Sequence, residues 1–143
     1  MRGTSKNRQP AVLVVEDEVW ILLDVAGALE EHGYPVLCAR NVEEALSLFD
    51  DRSDIGVVFT DIKMPGSLNG LDLAREVRRR RPDVGVLVTS GHYREMDGDI
   101  AGCDIFIPKP YEPRIVISRI GSLIDPDVGR ANSAVSATPC HMR

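Results

Sequence analysis

Five short apolar runs recur along the chain, and between them the spacing of apolar residues changes from continuous to helical. Ala11 to Val15 has no polar alternation, as expected of a parallel strand covered on both faces. Residues 18–32 then take a helical period, with Val19, Leu22, Ala26 and Leu29 on one stripe and Gly33 placed to end it. A helical wheel turns Trp20 and Ile21 away from that stripe. Pro35 to Arg40 predicts a second strand, and Asn41 with Glu44 gives a capping-box-like start to the helix VEEALSLFDD. Ile55 to Thr60 is the third strand, followed by the turn-rich loop KMPGSLNG and the helix LDLAREVRRRR. Val84 to Val88 and Asp104 to Ile107 are the fourth and fifth strands. Between them HYREMDGDIAG has two internal glycines and little periodicity, so its helix is expected to be short or frayed. Pro113 opens a last helix that runs through Ile124. Strands alternating with helices predict a doubly wound α/β sheet with helices on both faces.

The strand ends carry the chemistry. Glu16 and Asp17 close VLVVED, Asp61 closes VVFTD, Thr89 and Ser90 close VGVLVTS, and Lys109 closes DIFIPK. In an open parallel sheet the carboxyl ends of the strands share one edge, where ligands bind. Three acids, a hydroxyl and an ammonium are therefore expected to converge on one crevice. Hard oxygen donors in that setting suit Mg²⁺, with Mn²⁺ as an alternative.

Composition narrows the field. At 143 residues the chain is one domain's worth. A net charge of -5 argues against a nucleic-acid surface, which needs clustered cations. The one basic run, Arg78 to Arg81, falls where a helix should end, and there cations complement the helix dipole. Cys38, Cys103 and Cys140 are an odd number at unpatterned spacing, which fits free thiols in a reducing compartment. The polar start is no signal peptide, and the longest apolar stretch, VWILL, is too short to cross a bilayer, so a cytoplasmic protein without a membrane role is expected. Residues 1–10 and 125–143 lack a core pattern and are expected to be disordered ends around a domain at 11–124.

The ordered set VLVVEDE, VVFTDIKMPG, VTSG and PKPY resembles the receiver domain of bacterial two-component response regulators over about residues 11–124. The resemblance implies a stand-alone, CheY-like regulator with a flavodoxin-like fold, five parallel strands in the order 2-1-3-4-5. It implies that Asp61 is the phosphoacceptor and that Asp17 and Asp61 are direct Mg²⁺ ligands. The Lys63 carbonyl would supply another oxygen, and Glu16 would act directly or through water. Relatives more often have Asp where Glu16 stands.

By the same resemblance Lys109 neutralises charge, Thr89 binds the incoming phosphoryl group, and Phe106 holds the aromatic switch position, commonly Tyr in relatives. The Lys109-Pro110 bond is implied to be cis; Pro108 beside it is unusual. Gly91 leaves open the approach that relatives tune for water, and His92 lies close after it. Implied partners are a histidine kinase or histidine phosphotransfer protein and an unknown downstream protein, with Trp20 and Ile21 as a docking patch. A monomer or a phosphorylation-dependent homodimer is expected. The chain would catalyse its own phosphotransfer and slow autodephosphorylation without being an enzyme in the ordinary sense.

Two other readings remain. A haloacid-dehalogenase-like phosphatase also uses a strand-end Asp with Mg²⁺, but it needs a second acid two residues on, where this chain has Lys63. A receiver-like module that docks without being phosphorylated would keep the same fold. A dinucleotide-binding domain is excluded because EDEVW is no glycine-rich turn.

Overall fold

The computed structural model describes residues 9–91 and 103–124, and the backbone of 138–139. The elements are β1 (Ala11–Val15), α1 (Val19–Glu31), β2 (Val36–Ala39), α2 (Val42–Asp51), β3 (Ile55–Asp61), α3 (Gly70–Arg80), β4 (Gly85–Ser90), β5 (Ile105–Pro108) and α4 (Pro113–Ile124). Five strands pair in parallel in the order β2-β1-β3-β4-β5, as the family resemblance implied. The expected helix in HYREMDGDIAG and the position of His92 lie outside the described residues. Thr138–Pro139, within the tail expected to form no element, adds a short antiparallel strand, β6, beside β5.

Successive residues of each strand point to opposite faces, so continuous apolar strands feed two separate cores. On one face Leu13, Val15, Val58 and Val86 pack with Phe49 of α2 and Leu73 and Val77 of α3. On the other, Val12, Val14, Val57 and Leu87 pack with Leu22, Val25 and Leu29 of α1 and Val116 and Ile120 of α4. Phe49 is fully buried, and cutting it back to alanine would cost about 3–5 kcal/mol.

Local signals set the helix ends. Gly33, at φ 99°, closes α1: its N–H donates to the Glu30 carbonyl, and the Tyr34 N–H donates to Leu29. Those two bonds make a Schellman motif, which needs a residue that tolerates positive φ. Asn41 caps α2 by accepting the Glu44 N–H, while the Glu44 carboxylate reaches back one residue past the cap to the Arg40 N–H. Asn69 and Asp72 form a full capping box on α3.

Three arginines of the basic run pair with carboxylates. Arg78 pairs with Asp104, Arg79 with Glu76, and Arg80 with Glu76 and Asp50. Arg81 lies over the Phe49 ring. Arg78, Arg80 and Arg81 fasten the end of α3 to its surroundings, while Arg79 pairs within the helix.

The cysteine expectation is corrected: Cys103 is disulfide-bonded, and the free, exposed thiol among the described residues is Cys38 on β2. Spacing along the chain gives no sign of this bond. Among the described residues no helix is long and apolar enough to cross a membrane.

Candidate functional site

The Glu16 N–H continues the β1 ladder by donating to the Ala39 carbonyl. Its side chain is buried, with Oε2 accepting the Glu18 N–H at 3.0 Å. Asp17 follows, half-buried. Asp61, the last residue of β3, is 7% exposed and lies beside Thr89 in the β3–β4 register. Lys109 stands one residue past β5, its N–H donating to the Ser90 carbonyl, and its bond to Pro110 is cis, as the resemblance implied.

The carboxylates of Glu16, Asp17 and Asp61 each bring an oxygen within 4.8 Å of the others. The Lys109 ammonium enters the same space, 2.8 Å from Asp61 Oδ2 and 3.4 Å from Glu16 Oε1. The surrounding crevice has a volume of about 480 Å³, and Lys63, Met64 and Gly91 line it together with the charged groups. The Lys63 N–H points at Asp61 Oδ1 from 3.4 Å.

Burial and charge oppose each other at these groups. Burial pushes the Glu16 carboxyl above its ordinary pKa, and the Asp61 charge adds to that, against the Glu18 N–H and Lys109. Burial disfavours the charged Lys109, but the hydrogen bond and charge of Asp61, with Glu16 behind them, raise its pKa above the ordinary lysine value. Lys109 therefore stays an ammonium near neutral pH. Tyr111, packed edge-on to Phe59, is kept protonated by burial and by the same acids.

An all-oxygen donor set fits Mg²⁺ or Mn²⁺. The unrelieved repulsion that helps to raise Glu16 is what a divalent ion would remove. The donors present thus match the ion that the sequence implied.

Thr89 is buried, and its hydroxyl has no hydrogen-bond partner among the described residues. Phe106 is also buried and packs in the core shared with α2 and α3. Among the described residues, a β-carbon on Gly91 would meet Lys109 Cβ alone, at 4.0 Å.

The α1 patch differs from the expectation. Trp20 is 80% exposed, but Ile21 packs against the core beneath α1. Val19, placed inward by the wheel, is 40% exposed, and Leu23 is 55% exposed. The outward apolar surface is Val19, Trp20 and Leu23, and Val25 joins the buried stripe. Residues 19–23 are apolar without a break, so the wheel had no polar residue in that turn to fix its phase.

Two residues of the site carry no motif signal of their own. Gly70, at the start of α3, packs directly on the Asp61 backbone, where any side chain would collide. Arg40, after β2, donates from its guanidinium to the Asp17 carbonyl at 2.9 Å.

Residues 12–121 match the family profile described as the response regulator receiver domain. The chain belongs to that family. The transcriptional regulatory protein AruR of Pseudomonas aeruginosa is 38% identical to this receiver over 122 residues, 80% of this chain and 49% of the relative. The response regulator SaeR of Staphylococcus aureus is 32% identical over 79% of this chain and 50% of the relative. The chain thus spans about half the length of these curated relatives.

Among solved structures, the receiver domain of NtrX from Brucella abortus superposes with a TM-score of 0.71 at 34% identity, covering 80% of this chain and 98% of that one. TrrA from Thermotoga maritima, solved in complex with Mg²⁺ and BeF, gives 0.72 at 31% identity, covering 80% and 99%. Receiver domains bind Mg²⁺ at an acidic pocket, and this receiver has such a cluster in Glu16, Asp17 and Asp61.

Proposed function

We propose that this receiver accepts a phosphoryl group from a histidine kinase or histidine phosphotransfer protein onto Asp61, with Mg²⁺ held by Asp17, Asp61, Glu16 and the Lys63 carbonyl. The observation that supports it is the Lys109 ammonium 2.8 Å from the Asp61 carboxylate inside a cluster of three acids. A carboxylate oxygen of Asp61 attacks phosphorus as the bond from phosphorus to the histidine nitrogen breaks, and the imidazole leaves with the electron pair. Lys109 offsets charge gathering on the phosphoryl oxygens, and its raised pKa keeps it cationic. The bound ion would supply further charge neutralisation. Crowding by Asp61, Glu16 and Lys109 leaves little disorder to remove before attack.

Thr89 is the group that meets the product. Its buried hydroxyl, unpartnered among the described residues, gains a hydrogen bond to a phosphoryl oxygen, and its movement vacates space beside Phe106. The states then differ on the face around β5 and α4, which an unidentified protein partner reads. Nucleic acid is not proposed as a partner, since the arginines of α3 are paired with carboxylates. A cytoplasmic location is proposed from the partner class, no longer from the cysteines. The protein works as a monomer or as a homodimer formed on phosphorylation.

The test is NMR of the labelled full chain titrated with beryllofluoride and Mg²⁺. Shifts at Asp61, Thr89, Phe106 and residues 113–120 are expected only when both are present. A spectrum that never responds favours the docking module that works without phosphorylation.

A further inference from the structure

Asp17 sits in a turn with few fastenings of its own. The residue after it, Glu18, caps α1 with no side-chain hydrogen bond. Among the described residues, the hydrogen bond that reaches Asp17 from outside its turn comes from Arg40, 23 positions away, at 2.9 Å to the backbone carbonyl. Arg40 is itself anchored, because its N–H donates to the Glu44 carboxylate at 2.6 Å beside the Asn41 cap of α2. The preceding carbonyl, that of Ala39, accepts the Glu16 N–H. Two consecutive residues at the end of β2 thus hold the two consecutive acids at the end of β1.

We propose that Arg40 is a positioning residue of the metal site: it locks the turn after β1 so that the Asp17 carboxylate faces Glu16 and Asp61. The proposal rests on the Mg²⁺ site described above. Its chemistry separates it from a simple charge effect by sign. A guanidinium near three acids repels an incoming cation, so deleting it for charge alone would tighten Mg²⁺ binding. Deleting a group that preorganises a ligand weakens binding, because the cost of ordering the turn then falls on the binding step. A planar fork also holds a carbonyl in a fixed direction better than an ammonium does.

Isothermal titration of the full chain with Mg²⁺ tests it, on wild type, Arg40→Ala and Arg40→Lys at low and high salt. Arg40→Ala is expected to bind about threefold more weakly, matching the modest net worth of one such hydrogen bond. The loss should persist at high salt, with Arg40→Lys between the two and the thermal midpoint unchanged. Unchanged or tighter binding in Arg40→Ala overturns the proposal, and so does a loss that appears only together with a lower midpoint. Wild-type protein that binds no Mg²⁺ would instead remove the metal site itself, and the proposal with it.

Discussion

Gly70 and Asp61 are in backbone contact: a β-carbon on Gly70 would land on the Asp61 carbonyl oxygen, and the Gly70 N–H already donates to the Ile62 carbonyl at 2.8 Å. The start of α3 is therefore pressed against the residue that carries the proposed chemistry. Gly70→Ala must push either the helix or the end of β3 away. It is expected to cost about 1–3 kcal/mol of stability by overpacking, read by chemical denaturation, and to slow phosphorylation by acetyl phosphate. A variant as stable and as fast as wild type would mean that α3 can yield without moving Asp61.

Thr89 presents an unusual balance of stability and signalling. Its buried hydroxyl makes no hydrogen bond among the described residues, so Thr89→Val replaces an unsatisfied polar atom by a methyl group of similar size. Stability is expected to hold or to rise by up to about 1 kcal/mol. Phosphorylation should still occur, but the NMR shifts of residues 105–120 on adding beryllofluoride should be lost. A full response in Thr89→Val would remove the hydroxyl from the switch.

Trp20 and Ile21 are adjacent but have opposite surroundings. Trp20→Ala changes an exposed side chain and should alter stability by no more than about 0.5 kcal/mol. It should slow transfer from the cognate kinase about tenfold, since an aromatic anchor at an interface carries about 2 kcal/mol, and leave acetyl phosphate labelling unchanged. Ile21→Ala should instead lower stability, because Ile21 packs on the core. Equal losses with both phosphodonors in Trp20→Ala would assign Trp20 to the fold.

What is legible in the sequence follows from where the information is local. Strands buried on both faces announce themselves as unbroken apolar runs, and the polar residues that end those runs single out Glu16, Asp17, Asp61, Thr89 and Lys109. Caps at Asn41 and Gly33 are readable for the same reason. The phase of α1 is not, because residues 19–23 are all apolar and packing under the sheet decides which of them turn inward. Arg40, Gly70 and the disulfide of Cys103 depend on segments that meet only after folding. No pattern within one segment records them.

The central claim is that Asp61 is the phosphoacceptor. Intact-protein and peptide mass spectrometry after treatment with acetyl phosphate tests it most directly, on wild type and Asp61→Asn, with Mg²⁺ and with chelator. One phosphoryl group on the Asp61 peptide is expected for wild type with Mg²⁺, and none for the variant or for the chelated protein. Wild type that stays unmodified, or Asp61→Asn labelled at the wild-type rate, would contradict it.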